Sequence, residues 1–275
     1  MSTGEQPDVS ICIVSLNAKD YLNDCLDSIE NNTHRVSYEI IIVDNGSTDG
    51  TFDSIQSQRP QVKLYRNNEN NGYSAPMNQA LRTGIGRHLM QLNPDTIVHP
   101  GSLDRLVAFL DTHPDVGIVG PKVLNPNGSL QEPCRRSEAR PWDVMSYFSG
   151  LARLFPDDRR FSGYYMGYMD ENETHEAEGV SGSCMLMRST MIEQVGYLDE
   201  SLFAYQEDAD YCFRARQAGW KIFYYPEAEI THFGGEGGSK VQPFRSIWAW
   251  HRAYYLYYKK HLAKDYFFLF NWLYY

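Results

Sequence analysis

Two groups of polar and acidic residues in this sequence have the types and spacing needed for catalysis, although they lie far apart in the chain. Asn93-Pro94-Asp95 follows a short apolar run, and Glu207 and Asp208 come just before a segment with helical character. One carboxylate can hold a metal-bound diphosphate, and another can take the proton of an attacking hydroxyl. The pattern predicts an enzyme whose site is assembled from both groups.

The elements that must position these residues alternate between apolar runs and segments with helical spacing. The apolar runs are typical of buried strands, and the segments between them carry apolar residues on one helical face. This alternation predicts an α/β fold, with a Rossmann-like, mostly parallel central sheet and helices on both faces. The predicted strands are 9–15, 38–43, 62–65, 89–92, 183–188 and 221–225, the last closed by Pro226, and the predicted helices include 21–30, 75–84 and 211–218.

The carboxyl ends of these strands are where the site is expected. Ligands of open α/β sheets bind in the crevice beyond that edge. Asp44 follows the second predicted strand and Asp95 follows the fourth, so both carboxylates are expected there.

Composition divides the chain into a main domain and an extension. Residues 1–240 carry the strand–helix alternation and are predicted to form the catalytic domain. Within it, residues 125–178 are rich in turn residues, which predicts a partly irregular insertion that shapes the acceptor side. Residues 241–275 are aromatic and basic and are predicted to form a C-terminal helical extension.

Six short motifs occur in a fixed order along the chain. They are VSICIVSLN at 9–17, VDNGSTDGT at 43–51, NGYSAPMN at 71–78, NPD at 93–95, EDADYCFR at 207–214 with GW at 219–220, and His232. Together they resemble the family 2 inverting glycosyltransferases with a GT-A fold, and within that family the bacterial rhamnosyltransferase-like subgroup. The resemblance extends over residues 9–239.

The resemblance implies a nucleotide-sugar donor bound across the first strands. The family's aspartate at the second strand end hydrogen-bonds the nucleotide base, which would be the role of Asp44. The alternative is an aspartate that forms the turn and caps the next helix. The other implied nucleotide-binding residues are Ser15 and Asn17, in the same base pocket, and Asn71, Gly72, Asn78 and Asn93.

Asn93-Pro94-Asp95 occupies the place of the family's D-x-D metal motif, with an amide instead of the first carboxylate. The resemblance implies a divalent metal cofactor, Mg²⁺ or Mn²⁺, with Asp95 as its charged ligand. His232 precedes a glycine-rich segment at 233–239, which we expect to close over the donor diphosphate while His232 touches metal or phosphate. The alternatives are a plain turn at 93–95 and a structural histidine.

Sugar transfer with inversion needs one base that takes the proton of the acceptor hydroxyl. By resemblance that base is Asp208, with Glu207 orienting it or substituting for it. Asp210 is expected to act as a helix cap or as a partner of Arg214. The alternative for the three acidic residues is a stabilising charge at a helix N-terminus, which the helix dipole favours.

Two further pairs of residues are assigned to the acceptor or to phosphate. Arg135 and Arg136 resemble a basic pair of the subgroup and would contact phosphate, on the donor or on a lipid-linked acceptor. Solvated surface charge is the alternative. Ser181 and Gly182 precede a predicted strand and are expected at the floor of the acceptor site, where glycine permits close approach.

The net charge and the cysteine content indicate which class of binding partner and which cellular compartment to expect. The net charge of −10 argues against nucleic acid as the main partner. The five cysteines include no C-x-x-C pair and are expected as buried free thiols in a reducing cytoplasm. The N-terminus lacks a signal-peptide pattern and no apolar stretch is long enough to cross a bilayer, which predicts a cytoplasmic protein.

The segment 244–275 interleaves aromatic residues with Arg and Lys. This composition is typical of a helix that lies at a membrane interface. It predicts peripheral attachment to the inner face of the cytoplasmic membrane, with a lipid-linked acceptor. The alternative is a helix that packs on the domain, or on a second subunit in a homodimer.

These observations predict a glycosyltransferase that moves a sugar from a nucleotide diphosphate donor to a hydroxyl of a glycan or lipid-linked acceptor of the cell surface. The subgroup suggests dTDP-rhamnose as the donor. A non-catalytic module that binds glycan or nucleotide is an alternative, against which the intact Glu207–Asp208 pair argues. A nucleotidyltransferase is disfavoured because residues 15–20 lack the glycine-rich, basic loop of those enzymes.

Overall fold

The computed structural model describes residues 6–235 and 243–274. Its strands are β1 (Val9–Ser15), β2 (Tyr38–Asp44), β3 (Lys63–Arg66), β4 (His88–Leu92), β5 (Thr96–Val98), β6 (Val116–Leu124), β7 (Arg135–Arg136), β8 (His175–Glu176), β9 (Gly179–Val180), β10 (Cys184–Arg188) and β11 (Lys221–His232). Nine of them form one sheet in the order β3-β2-β1-β4-β10-β6-β11-β5, with β8 paired to β11, while β7 and β9 form a separate ladder.

The helices connect these strands and extend the chain beyond the sheet. They are α1 (Lys19–Asn32), α2 (Thr51–Gln58), α3 (Ser74–Thr83), α4 (Ser102–Thr112), α5 (Pro141–Phe148), α6 (Leu151–Leu154), α7 (Arg159–Ser162), α8 (Ser189–Val195), α9 (Glu207–Gln217), α10 (Pro243–Tyr257) and α11 (Phe268–Tyr274). A π-helical turn at Tyr258–Leu262 and a 3₁₀ turn at Ala263–Asp265 lie between α10 and α11.

Helices cover both faces of the sheet, as the alternation of side chains along β1 shows. Ile11 and Ile13 belong to a core that includes apolar residues of α1 and α4. Cys12 and Val14, which point to the opposite face, belong to a second core with residues of α3, α8 and α9. The predicted α/β class is therefore confirmed, and all five cysteines are buried and free.

The sheet is mostly parallel, with reversed strands near its centre and edge. β3, β2, β1 and β4 run parallel, and β6 and β11 run parallel to each other. β10 lies antiparallel between β4 and β6, and β5 is antiparallel to β11. The carboxyl ends of β1, β2, β4 and β11 consequently meet at one edge, which is where the site is found.

The predicted end of the last strand at Pro226 is wrong. β11 continues through Pro226 to His232, because its pairing with β6 shifts register between Tyr225 and Glu229 and leaves the proline outside the regular ladder. The longer strand carries His232 to the carboxyl edge of the sheet. Similarly, α9 begins at Glu207 and not at Tyr211, so the predicted catalytic carboxylates lie in its first turn.

The insertion at 125–178 is more regular than predicted. It contains the short helices α5, α6 and α7, and its strand β8 pairs with β11. The strand β6, which precedes it, was not predicted, because Gly117, Gly120 and Pro121 interrupt its apolar run. Gly120 packs so closely that a Cβ atom there would lie 2.7 Å from Cβ of Val180.

The C-terminal helix α10 packs on the catalytic domain along one face. Ala253 and Tyr257 are buried, and Tyr257 belongs to a cluster that also contains Tyr164 and Ala209. The opposite face is exposed. Packing on the domain, one of the two alternatives for this segment, is thus observed for the inner face, and no helix in the described ranges is long and apolar enough to cross a bilayer.

Candidate active site

A cavity of about 340 Å³ opens at the carboxyl edge of the sheet. It brings together residues from both groups that the sequence pointed to, together with parts of the loops between them. The predicted site residues in its lining are Gly72, Asn93, Asp95, Ser181, Gly182, Glu207, Asp208 and His232.

The carboxylate of Asp208 is held from several directions. Its Oδ2 accepts a hydrogen bond from the Gly182 N–H at 2.8 Å, and its Oδ1 accepts one from the Ala209 N–H at 2.7 Å. The guanidinium of Arg136 forms an ion pair with Oδ1. Burial alone would lower the pKa of Arg136, but the neighbouring Asp208 carboxylate raises it, so the Arg136 guanidinium keeps its charge.

Glu207 precedes Asp208 in the chain, and the pKa of its carboxyl group is shifted. Its side chain is buried, and Oε2 has no hydrogen-bond partner. Burial, together with the negative charge of Asp208, raises the pKa of Glu207 well above its usual range. Glu207 therefore favours its protonated form more than an ordinary glutamate does.

The loop before α9 is held in a conformation that ordinary residues rarely adopt. Tyr205 and Gln206 have φ values of 69° and 59°, in the left-handed region. Such residues cost on the order of 1 kcal/mol each and persist where the surroundings fix them. Here the Tyr73 N–H donates to the Phe203 carbonyl at 2.6 Å, and a Cβ atom on Gly72 would meet that carbonyl at 2.3 Å. The strain lies directly before the two carboxyl groups.

His232 and Asp95 face each other across the other side of the cavity. His232 Nε2 lies 3.2 Å from Asp95 Oδ1 and 3.2 Å from Asn93 Nδ2. His232 Nδ1 lies 2.8 Å from the Gln131 Oε1. Because that amide oxygen only accepts, Nδ1 donates to it, and Nε2 is the ring nitrogen that faces Asn93 and Asp95.

This arrangement fits a divalent cation. An imidazole nitrogen and a carboxylate oxygen are both atoms that bind divalent metals, and ligand atoms at right angles in an octahedral magnesium site lie roughly 3 Å apart. In the described residues no group of three or more His, Cys, Asp or Glu side chains converges on one point. Asp95 and His232 would therefore supply part of a ligand shell, which diphosphate oxygens and water would complete.

The proposed pocket for the nucleotide base is formed by the ends of two adjacent strands, β1 and β2. Ser15 and Asp44 are paired in register across β1 and β2, both are fully buried, and neither Ser15 Oγ nor Asp44 Oδ1 has a hydrogen-bond partner. Neither is in the described cavity lining, although the adjacent residues Val14, Leu16 and Asn45 are. Asp44 Oδ2 accepts from the Ser47 N–H at 3.3 Å, so Asp44 also supports its turn, but it does not cap α2, which begins at Thr51.

Two residues implied by the resemblance, Asn17 and Asn78, hold the fold through their side chains, and a third, Asn71, is exposed. Asn17 accepts a hydrogen bond from the Thr48 N–H at 2.8 Å and so fixes the turn after β2. Asn78 is fully buried and exchanges hydrogen bonds with the backbone of Leu198. Asn71 is exposed, and its N–H donates to the Asn45 side chain. None of the three is in the described cavity lining, because their neighbours hold them elsewhere.

The two arginines have different positions, and neither is a solvated surface charge. Arg135 donates to the backbone carbonyls of Met169 and Asp170 at 2.7 Å and stacks on the Tyr224 ring. These contacts hold the insertion in place, and Arg135 is not in the described cavity lining, so its assignment to phosphate stays a prediction. Arg136, which points to the opposite side of β7, pairs with Asp208 instead of reaching the cavity with a free guanidinium.

Ser181 and Gly182 line the cavity, and their assignment to the acceptor stays a prediction. The Gly182 carbonyl accepts from Gln91 Nε2 at 2.9 Å, and a Cβ atom on Gly182 would lie 2.3 Å from that nitrogen. Only glycine permits this approach, which places its N–H against Asp208. Residues 236–239 of the glycine-rich segment lie outside the described residues, so the predicted closing loop stays a prediction, although Gly235 lines the cavity.

Several residues that lie at the site or contact it were not predicted from the sequence. Gln131 fixes the tautomer of His232 from within the insertion, and nothing in its local sequence indicates this. Tyr73 donates from its hydroxyl to Asn93 Oδ1 at 3.0 Å. Arg245 and Ser246 line the cavity from α10, a helix for which the sequence predicted no part in the site.

A family model described as "Glycosyltransferase like family 2" matches residues 7–252, nearly the whole chain. The chain belongs to this glycosyltransferase family. The resemblance drawn from the six motifs is thereby confirmed at the level of the family. A member of family 2 with this cavity is a glycosyltransferase, although the match does not name its donor or its acceptor.

Curated relatives extend the comparison. The chain is 28% identical over 229 residues to the N-acetylglucosaminyl-diphospho-decaprenol L-rhamnosyltransferase of Mycobacterium tuberculosis, covering 79% of this chain and 73% of the relative. It is 26% identical over 231 residues to the low-salt glycan biosynthesis hexosyltransferase Agl10 of Haloferax volcanii, covering 82% and 67%.

Solved structures support the GT-A fold of this family 2 member. The mannosyltransferase PcManGT of Pyrobaculum calidifontis, in complex with GDP-Man and Mn²⁺, has a TM-score of 0.59 at 18% identity, over 88% of this chain. GalNAc-T7 with UDP, GalNAc and Mn²⁺ has a TM-score of 0.64 at 15% identity, over 94% of this chain. The chain spans 61% and 48% of those two proteins, so the likeness concerns their shared domain.

Proposed function

We propose that this protein transfers a sugar from a nucleoside diphosphate donor to an acceptor hydroxyl with inversion, and that Asp208 is the general base. The observation that carries the proposal is the position of the Asp208 carboxylate. It is fixed by Gly182, Ala209 and Arg136, and it lines the cavity that also contains Asp95 and His232.

Inversion follows from a single displacement at the anomeric carbon. The acceptor oxygen forms the new glycosidic bond on one face of the sugar while the bond to the diphosphate oxygen breaks on the other. The hydroxyl proton passes to Asp208, which contributes about 10²–10⁴-fold to such reactions. The orienting contacts of Asp208 use only some of its lone-pair positions, so the carboxylate can still accept from a hydroxyl.

Glu207 has a different role from the one Asp208 performs. As a neutral acid it cannot take the acceptor proton, but it can donate a hydrogen bond to the bound sugar or diphosphate.

Asp95 and His232 would hold a divalent metal, and Asn93 and Gln131 would fix His232 beside it. When bound, Mg²⁺ or Mn²⁺ neutralises the charge that develops on the departing diphosphate. The Mn²⁺ in the structures of PcManGT and GalNAc-T7 supports this assignment. Asp44 and Ser15, with their unpaired buried oxygens, would receive the nucleotide base.

For the substrates, we propose dTDP-L-rhamnose as donor and a polyprenyl-diphosphate-linked sugar as acceptor, in the assembly of a bacterial cell-surface glycan on the cytoplasmic side of the membrane. The support is the similarity to a mycobacterial enzyme whose name specifies L-rhamnose transfer to N-acetylglucosaminyl-diphospho-decaprenol. An acceptor of that kind contains both a sugar, which offers the hydroxyl, and a lipid, which places it at a membrane.

The proposal is tested by incubating the protein and Mn²⁺ with a panel of sugar nucleotides and a short-chain polyprenyl-diphosphate N-acetylglucosamine. We expect dTDP-L-rhamnose to yield a lipid product one deoxyhexose heavier, with the anomeric configuration inverted by NMR. Faster transfer from another donor would overturn the rhamnose assignment. If no donor released its nucleotide but some still bound, the non-catalytic binding module would be the better account.

A further inference from the structure

The outer face of α10 carries large apolar side chains at its N-terminal half. Phe244, Ile247 and Trp248 are 87%, 56% and 62% exposed. Trp248 is stacked beneath the guanidinium of Arg252, and Lys259 lies over the ring of Tyr255. Aromatic rings alternate with cations along this helix face, which we name the aromatic–basic face and define as Phe244, Ile247, Trp248, Arg252, Tyr255 and Lys259.

The charge of the extension is opposite to that of the rest of the chain. Residues 243–275 contain five basic residues and one acidic residue, whereas the whole protein has a net charge of −10. A cationic surface on an acidic protein is complementary to an anionic partner. A second copy seated symmetrically on the same face would bring the cations of both copies together, which disfavours self-association through it.

The inner face of the same helix forms part of the active site. Arg245, Ser246 and Ala249 line the catalytic cavity, while Phe244 and Trp248 point outward from the same turns. A flat surface against the aromatic–basic face would therefore lie beside the cavity.

The helix is tied firmly to the catalytic helix α9. The buried carboxylate of Asp210 accepts from Lys260 Nζ at 2.6 Å, from His261 Nε2 at 2.7 Å and from Arg214 Nε at 2.8 Å. Although burial raises the pKa of Asp210, these three donors lower it well below its usual range, so the anchor is ionic. The predicted Asp210–Arg214 contact is present, and the extension supplies its other partners.

We propose that the aromatic–basic face binds the surface of an anionic phospholipid bilayer and holds the catalytic cavity at the headgroup level. Aromatic rings at the boundary, with Arg and Lys reaching anionic headgroups, are the chemistry of an interfacial helix. This inference goes beyond the proposed function, because it rests on exposure and charge and not on the identity of the sugar.

The test is flotation of the full chain with vesicles of phosphatidylglycerol or of phosphatidylcholine. We expect binding to phosphatidylglycerol vesicles at low ionic strength, and weaker binding at high salt. Phe244→Ser/Trp248→Ser should reduce partitioning at least about tenfold. Arg252→Gln/Lys259→Gln should reduce it by about fivefold per charge.

Ile85→Ser and Lys221→Gln are matched controls. Both residues are exposed and lie at the amino-terminal edge of the sheet, away from the cavity, so these variants should float like the wild type. Each variant should keep its nucleotide-induced thermal shift, which separates membrane binding from donor binding.

Two results would overturn the proposal. One is a wild-type protein that stays unbound with phosphatidylglycerol vesicles, or apolar and basic variants that float as it does. The other is a wild-type dimer by light scattering that Phe244→Ser/Trp248→Ser converts to a monomer, because the face would then be an interface between copies.

Discussion

The Asp208 carboxylate forms an ion pair with the Arg136 guanidinium, and both residues are no more than 8% exposed. The two residues come from different parts of the chain, β7 in the insertion and the first turn of α9. The insertion thus supplies the counter-charge of the proposed base as well as a wall of the domain. Removing one member would leave the other charge buried without a partner, which proteins tolerate poorly.

Arg136→Gln is therefore expected to destabilise the fold by about 3–5 kcal/mol in urea unfolding, because it leaves the Asp208 charge buried and unpaired. Arg160→Gln is the control, since Arg160 is mostly exposed and pairs with Asp158 at the surface, where the loss should stay within about 1 kcal/mol.

The double variant Arg136→Gln/Asp208→Asn distinguishes charge pairing from simple loss of packing. It should recover much of the stability that Arg136→Gln loses. Additive losses in this double-mutant cycle would contradict the ion pair as the cause.

Asp208→Asn should lower turnover by about 10²–10⁴-fold, because the amide cannot accept the acceptor proton. Its affinity for the donor nucleotide should stay close to that of the wild type, as measured by calorimetry. Asp199→Asn, which removes a carboxylate outside the described cavity lining, is the matched control and should keep its turnover. A collapse of donor binding in Asp208→Asn would mean that Asp208 binds the donor and is not the base.

Glu207→Gln should make stability less sensitive to pH. The raised pKa of Glu207 means that the folded protein keeps this proton after the unfolded chain has released it. The native state therefore loses stability as pH rises from the ordinary glutamate value, 4.5, through the raised one. The difference in Tm, variant minus wild type, should grow between about pH 5 and about pH 9. A constant difference would show that Glu207 ionises normally.

Gln131→Leu should weaken the response to Mn²⁺ without removing either proposed ligand. Gln131 fixes the His232 ring through Nδ1, and loss of such an outer partner typically costs about 10–100-fold in metal affinity. The Mn²⁺ concentration that gives half of the nucleotide-dependent thermal shift measures this. His99→Gln, a histidine outside the described cavity lining, is the control. An unchanged Mn²⁺ requirement in Gln131→Leu would argue that His232 is not a ligand.

The strands in the first half of the chain could be predicted because the patterns that indicate them lie within short, continuous segments of sequence. Apolar runs such as those of β1 and β2 predict buried parallel strands. The polar residues that follow these runs indicate the edge of the sheet where ligands bind. β6 was not predictable, since Gly117, Gly120 and Pro121 are chosen by close packing against distant segments. The continuation of β11 past Pro226 likewise depends on a register shift against β6.

The site was predictable where a motif residue faces the cavity and not where it holds a turn. Asp95 and Asn17 are both polar residues after strands, yet only Asp95 lines the cavity, while Asn17 satisfies the backbone of Thr48. The spacing of residues in the sequence cannot distinguish a residue that faces the cavity from one that holds a turn, because the hydrogen-bond partners come from other loops. The roles of Gln131 and Arg136 depend on how the insertion folds back, which no local pattern encodes.

The most direct test of the account is a thermal-shift titration with dTDP, UDP and GDP, with and without Mn²⁺, on the wild type and on Asp95→Asn. A ligand at about 100 times its Kd stabilises the native state by about 2.7 kcal/mol, which is readily measured. The account predicts a shift with one nucleotide, dTDP, that requires Mn²⁺ and is lost in Asp95→Asn. No shift with any nucleotide, or a shift that is indifferent to Mn²⁺ and to Asp95, would contradict it.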